Sequence, residues 1–312
     1  MHELVSRLLE GDRRAAARII TLVENNGQEK EQLLSELFPH TGKAFVLGVT
    51  GSPGAGKSSL VDSLVTHYRQ QSLTIGVIAV DPTSPFTGGA ILGDRIRMQD
   101  HALDRGVFIR SMGTRGSLGG LARATKEAIK VLDAYGRDII LVETVGVGQS
   151  ELDIMATADT TLVVLNPGTG DGIQTIKAGI MEIADIFVVN KCDRDGADKM
   201  AAEVESMLDL GHGQNPYWRP PVKKTSTIDG RGIPELVGAI IEHREFATAS
   251  GDFAERRGQQ LKAEVSEIVE DYLKKMLWSK VGANAEMAQL LKDASERKSD
   301  PYTIARRILE VF

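Results

Sequence analysis

Between residues 45 and 226 the chain alternates short apolar runs with stretches whose apolar positions recur every three or four residues. The short runs predict strands over 45–50, 74–80, 107–111, 138–143, 160–166, 186–190 and 222–226. Ile75-Gly-Val-Ile-Ala-Val80 and Thr161-Leu-Val-Val-Leu165 are apolar on both faces. Strands buried on both faces belong to a parallel sheet covered by helices. The intervening stretches predict helices over 57–71, 119–135, 173–182, 197–210 and 233–249. Strand and helix in alternation predict an α/β fold with a doubly wound, mostly parallel sheet.

The two ends read differently. Leu4, Leu8 and Leu9, then Ala15, Ile19, Ile20 and Val23, recur at helical spacing. Asn26-Gly27 interrupts this pattern, a second short helix runs to Phe38, and Pro39-His40-Thr41-Gly42 closes the segment. Beyond Gly251, residues Leu261, Val265, Ile268, Val269, Tyr272 and Met276 form one stripe on a long charged helix. Asp300-Pro301 opens a last helix with proline at its first position. The stripe either packs on the sheet or pairs with a second copy of the chain, and pairing is the expectation. The predicted organisation is an N-terminal helical extension (1–41), an α/β domain (42–250) and a C-terminal helical dimerisation arm (251–312).

Composition narrows the setting. Hydrophobic residues make up 42% and charged residues 26% of the 312 residues, as in a soluble globular protein. The balance of 37 basic against 43 acidic side chains argues against broad binding to a nucleic-acid backbone. Cys192 stands alone, so it forms no internal disulfide and builds no metal site by itself. No apolar run approaches the ~18 residues of a membrane span. Glu3, Glu10 and Asp12 are out of place in an organelle transit peptide, which is poor in acids. A cytoplasmic protein is expected.

Chemistry enters at Gly51-Ser-Pro-Gly-Ala-Gly56-Lys57-Ser58, a match to G-x-x-x-x-G-K-[ST] between a strand and a helix. Gly51, Ser52, Pro53, Gly54, Ala55 and Gly56 let successive N–H groups point at phosphate oxygens, with Ser59 just inside the helix whose N-terminus adds positive potential. Lys57 is placed to reach the β- and γ-phosphates and the Ser58 hydroxyl to ligate Mg²⁺. The alternative, a plain glycine turn, leaves the lysine and serine unexplained.

Asn190-Lys191-Cys192-Asp193 follows another strand and fits N-K-x-D. A carboxylate at Asp193 accepts from both N1–H and the 2-amino group of guanine, a pair that adenine lacks. Asn190 supports the base loop and the Lys191 stem packs on the ring. Lys224-Thr-Ser226-Thr227, after the next strand, is placed to offer a backbone N–H to guanine O6. Glu143-Thr-Val-Gly146 ends a strand as a metal-side carboxylate followed by a γ-phosphate-sensing glycine. Asp81 ends the neighbouring strand, and Asp94 lies in a glycine-rich segment as another oxygen for Mg²⁺. Lys57, Asp81, Asp94 and Glu143 are thus the candidate catalytic set. Each carboxylate has an alternative place as a helix cap or a partner of Arg95 or Arg97.

Val80-Asp-Pro-Thr-Ser-Pro85, Gly93-Asp-Arg-Ile-Arg-Met98 and Glu143-Thr-Val-Gly-Val-Gly-Gln-Ser-Glu151 resemble the MeaB/ArgK branch of the G3E P-loop GTPases. The resemblance spans the whole chain. It implies a GTPase, slow alone and stimulated by a partner, that gates B12 cofactor loading and protects or reactivates a B12-dependent acyl-CoA mutase. Methylmalonyl-CoA mutase is the expected partner. GTP or GDP is the ligand, with Mg²⁺; adenosylcobalamin belongs to the partner. The resemblance also implies a homodimer and a further switch over Gly168-Thr-Gly-Asp-Gly-Ile-Gln-Thr-Ile-Lys177. Asp171, Gln174 and Lys177 are its polar candidates.

Gln149 is a candidate for orienting water, although it lies three residues after Gly146. Arg95, Arg97, Arg110 and Arg115 are candidates for stabilising transition-state charge. Two other readings stand beside this one. A nickel-insertion GTPase needs histidine and cysteine ligands that are not clustered here. An ATPase or kinase linked to basic amino acid transport is opposed by the 190–193 motif.

Overall fold

β1 (Phe45–Gly51) runs through the middle of a seven-stranded sheet whose order is β3-β2-β4-β1-β5-β6-β7. The others are β2 (Ile75–Asp81), β3 (Val107–Gly113), β4 (Ile139–Glu143), β5 (Thr160–Leu165), β6 (Ile186–Val189) and β7 (Val222–Lys224). Every neighbouring pair is parallel. The computed structural model describes residues 1–81, 101, 103–113, 118–144, 156–167, 182–210, 217–283 and 285–310.

The order places the chemistry. From β1 the chain goes to one side, to β2 and β3, returns at β4, and then crosses to β5 on the other side. The carboxyl ends of β1, β4 and β5 therefore frame a topological switch point, where open α/β sheets bind ligands. β1 pairs β4 from Phe45↔Ile139 to Val49↔Glu143, which brings Glu143 to the same edge as Gly51.

Helices cover both faces, because alternate strand residues are apolar on each. Phe45, Leu47 and Val49 pack with Leu60, Val61 and Leu64 of α4 (Lys57–Gln70) and with residues of α7 (Ile233–Ser250). On the other face Val46, Ile78, Val80, Ile140 and Val142 meet α5 (Leu118–Ala134). Farther along the sheet, Val163, Leu165, Phe187 and Val189 pack on α6 (Ala197–Asp209).

Three helices precede β1: α1 (Glu3–Leu9), α2 (Arg13–Glu24) and α3 (Lys30–Leu37). The periodicity suggested an unbroken helix as far as Asn25. Asp12 divides it, because its Oδ1 accepts from the N–H groups of Arg14 at 2.7 Å and Ala15 at 3.3 Å and starts a new helix. These helices share the apolar cluster of α5 and the sheet. Asp133 on α5 accepts from the N–H groups of Lys43 at 3.1 Å and Ala44 at 2.9 Å. Lys30 pairs with Glu127 at 2.7 Å, both buried.

All seven strands lie where the pattern predicted them, with ends shifted by at most two residues. β7 is the shortest. It stops at Lys224 because the Thr225 carbonyl turns to the Cys192 N–H at 2.9 Å and the Ser226 N–H to the Arg231 carbonyl at 2.9 Å. The helix expected over 173–182 falls, but for Glu182, outside the described residues.

The chain divides into two compact units, 1–253 and 254–312. The second holds most of α8 (Asp252–Ala283), then α9 (Ala285–Ser295) and α10 (Pro301–Glu310). Leu290 of α9 packs with Ile304 and Ile308 of α10. Asp300 caps α10 as Pro301 suggested, accepting from Tyr302 and Thr303 N–H groups at 2.9 and 3.0 Å. Sequence pattern had not separated α9 from the long helix. Among the described residues, no helix is long and apolar enough to cross a membrane.

Candidate nucleotide site

The loop from Gly51 to Gly56 joins β1 to α4, and glycine is required at both ends. Gly51 has φ +138°, and a Cβ there would lie 2.0 Å from the Val164 carbonyl oxygen of β5. Gly56 has φ +89°, and its Cβ would lie 2.4 Å from Asn190 Nδ2. Between them the Ala55 N–H donates to the Ser52 carbonyl at 3.1 Å, and the Leu60 N–H to Gly56 at 2.9 Å starts the helix. Lys57 is buried, with its ammonium donating to the carbonyls of Gly51 at 2.8 Å and Ser52 at 3.2 Å.

On one flank the Ser58 hydroxyl donates to Glu143 Oε1 at 2.6 Å, in buried surroundings. This joins two sequence-predicted metal-side residues from α4 and β4. Asp81 is the last residue of β2; Ala79 lies opposite Glu143, so Asp81 stands two positions further along the same edge. The Asp81 side chain lies outside the described residues, as do Asp94, Gln149, Asp171, Gln174, Lys177, Arg95, Arg97 and Arg115. A hydroxyl and a carboxylate are hard oxygen donors that suit Mg²⁺, which is usually held by one or two carboxylates with phosphate oxygens and water. Among the described residues, no group of three or more His, Cys, Asp or Glu side chains is placed to hold a metal. The adjacent Ser58 hydroxyl and Glu143 carboxylate thus fit a magnesium ion that also takes phosphate oxygens and water.

On the other flank Asn190 follows β6 with no exposed surface. Its Nδ2 donates to the Ala55 carbonyl at 2.9 Å, and its Oδ1 accepts from the Thr225 hydroxyl at 3.1 Å. Lys191 takes a left-handed backbone, φ +56°, and its ammonium donates to the Gly54 carbonyl at 2.6 Å. Two side chains of the 190–193 motif thus hold the phosphate loop from outside, while Asp193 stays exposed. Thr225 is the partner of Asn190 that the motif did not reveal. Its role depends on β6 and β7 being neighbours, which brings together residues 35 positions apart.

The loop after β7 is held by charge. Arg231 donates from its Nε to Asp229 Oδ2 at 2.6 Å and from its backbone N–H to Oδ1 at 3.2 Å, and the Asp229 carboxyl lies below the usual carboxylate range. Lys224 pairs with Asp198 at 2.6 Å. Arg110, a candidate for transition-state charge, instead donates to Glu24 and to the Thr21 hydroxyl of α2. Position explains this: Arg110 lies opposite Ile78 within β3, short of the functional edge.

A family model described as Methylmalonyl Co-A mutase-associated GTPase MeaB matches residues 16–282. The chain belongs to the MeaB family. It is a GTPase of that family, and its relatives cover nearly the whole chain. A Pyrococcus abyssi protein that carries a GTPase name is 52% identical over 310 residues, covering 99% of this chain and 95% of its own. The GTPase ArgK of Escherichia coli is 40% identical, covering 83% and 80% of the two chains. A mouse mitochondrial relative named methylmalonic aciduria type A homolog is 37% identical, covering 86% of this MeaB-family chain and 69% of its own. Among solved structures, an LAO/AO transport system kinase matches with a TM-score of 0.73 and 31% identity, over 99% of this chain and 96% of that one.

Proposed function

We propose that this GTPase binds GTP and GDP with Mg²⁺ and uses hydrolysis to gate B12 cofactor loading into an acyl-CoA mutase, and to protect or reactivate that mutase. The observation that carries the nucleotide part of the reading is the position of the phosphate loop. It lies between the Ser58–Glu143 contact on one side and the Asn190 amide on the other.

In this reading the loop N–H groups and the α4 N-terminus hold the phosphates. Lys57 exchanges its loop carbonyls for phosphate oxygens, bringing positive charge to where negative charge develops in phosphoryl transfer. Ser58, Glu143 and Asp81, with Asp94, would hold the magnesium ion, which would supply positive charge beside the phosphates. Asp193 reads the guanine edge and the Lys191 stem lies along the ring. With the Ser226 N–H committed to the Arg231 carbonyl, the Thr227 N–H is the donor assigned to guanine O6. Gln149, Asp171, Gln174 and Lys177 carry nucleotide state outward. Hydrolysis is slow alone and is raised by the partner.

The family description and the name of the mouse relative support a mutase as the partner. Methylmalonyl-CoA mutase is the partner proposed, and adenosylcobalamin stays with it. The protein acts in the cytoplasm as a homodimer, its parts divided at 1–41, 42–250 and 251–312, with the last as the dimerisation arm.

Two measurements test this. Mant-GDP is expected to bind far more tightly than mant-ADP. The reverse would favour the kinase reading that the solved relative's name carries. A pull-down with purified B12-dependent mutases, in GDP and in a non-hydrolysable GTP analogue, is expected to show nucleotide-dependent capture. Absent or nucleotide-insensitive binding to all of them would remove the chaperone role.

A further inference from the structure

Two buried threonines meet beside the phosphate loop. The Thr144 hydroxyl donates to Thr50 Oγ1 at 2.9 Å, and the Thr144 N–H donates to the Val49 carbonyl at 3.1 Å. Thr50 is 0% and Thr144 2% exposed. Both continue the face that Val46 presents from β1 and Ile140 and Val142 present from β4, where apolar side chains are the rule. Valine has nearly the same shape and would fill both places without a polar group to desolvate. A buried hydroxyl is costly unless bonded, and its return here is direction rather than burial.

The flanking residues show what is directed. Thr50 immediately precedes Gly51, the first residue of the phosphate loop, and Thr144 immediately follows Glu143. Glu143 must meet Ser58 Oγ at 2.6 Å with a side chain one methylene longer than aspartate. The extra torsion means that its Cα has to be fixed for that contact to persist. The β1–β4 ladder reaches Val49↔Glu143, and the Thr144 bonds hold the chain to β1 beyond that last pair.

We propose that Thr144, acting through Thr50, is a positioning residue that holds Glu143 against Ser58 and thereby sets the affinity of the site for a divalent cation. The proposal rests on the metal-side reading of Glu143 given above.

The test is a Mg²⁺ titration of GTP hydrolysis by the full chain, paired with mant-GDP binding in EDTA. Thr144→Val is expected to raise the half-saturating Mg²⁺ concentration about fivefold, the size of one neutral hydrogen bond. Its mant-GDP affinity in EDTA is expected to stay within about twofold of the parent. Thr144→Ser restores the Mg²⁺ response. Thr50→Val reproduces the Thr144→Val shift, and the double variant adds little, because both remove the same bond. An unchanged Mg²⁺ midpoint in both valine variants overturns the proposal. So does an equal loss of binding in EDTA, or failure of serine to rescue. Glu143→Gln is the separate arm. If it keeps the parent's Mg²⁺ response, the metal-side reading falls and takes the proposal with it. If it loses that response while Thr144→Val is normal, only the threonine proposal falls.

Discussion

Asn190 has no exposed surface, and both ends of its amide are used: nitrogen to the Ala55 carbonyl, oxygen to the Thr225 hydroxyl. Gly56 lies directly under that nitrogen, so Gly56→Ala both strains a left-handed backbone and displaces Asn190. Mant-GDP affinity is expected to fall at least about tenfold, on the scale of one lost polar contact with the strain added; fluorescence titration measures it. Asp193 poses a different test, because it is exposed and in the proposed function its partner is the guanine base. Replacing the carboxylate by an amide in Asp193→Asn removes the acceptor for the guanine 2-amino group and supplies a donor that suits the 2-oxo group of xanthine. GDP binding is expected to weaken about 100-fold or more, with XDP gaining, since a site built for a hydrogen bond rejects a ligand that leaves it unpaired. Competition of the two diphosphates against mant-GDP decides it. The motifs spelled out Lys57, Ser58, Asn190 and Asp193 because their spacing is local. Thr225 and Thr144 stand inside quoted stretches, yet neither their spacing nor that of Thr50 names a partner. Those partners lie on or just beyond other strands, and only the strand order makes them neighbours.

The elements that hold this edge are joined by ion pairs whose worth depends on depth. Lys30 of α3 and Glu127 of α5 are almost fully buried, with Arg123 adding a second contact to Glu127 at 3.2 Å. Removing Lys30 leaves Glu127 with Arg123 alone, so Lys30→Met is expected to destabilise the fold by about 2 kcal/mol, the scale of one lost charge-assisted hydrogen bond. Lys30→Met with Glu127→Leu is expected to recover most of that loss. Urea midpoints of the two variants test the pair. The Asp104–Arg69 fork, at 2.8 and 3.0 Å, ties the approach to β3 onto α4 and is more exposed. Its hydrogen bond to Arg69 holds the Asp104 carboxyl below the usual range. In the unfolded chain Asp104 titrates near its ordinary value of about 3.9. The stability it contributes is therefore complete above that pH and is lost as pH falls through the lower folded value. Asp104→Asn should leave a shallower loss of stability below about pH 4, as read by melting temperature against pH. Strands and their helices were legible because burial on both faces leaves continuous apolar runs. The α1–α2 break was not, because Leu8, Leu9, Ala15 and Ile19 keep helical spacing across a capping aspartate. α9 was missed because its short pattern follows the long charged helix without a proline to mark the boundary.

At the scale of the whole molecule, α8 carries a half-exposed apolar stripe. Val265, Val269, Tyr272 and Met276 follow one another at four, three and four residues, the spacing of a heptad seam, and each is between 46% and 52% exposed. In the proposed homodimer a second copy would supply a matching stripe, because a two-fold pairing sets the same surface patch of both copies face to face. Apolar residues at such a seam stabilise a dimer only while the stripe stays unbroken, since a charge placed in it is desolvated without a partner. Val269→Lys puts that charge near the middle of the stripe, on the second of the two compact units and far in sequence from the nucleotide motifs. In sedimentation equilibrium the parent chain is expected at twice the protomer mass, and Val269→Lys at the mass of one protomer. Mant-GDP binding by the variant is expected to match the parent, which separates loss of pairing from loss of fold. A parent chain that sediments as one protomer at tens of micromolar would refute the arm as a dimerisation device. A Val269→Lys protein that stays paired would move the interface to another surface.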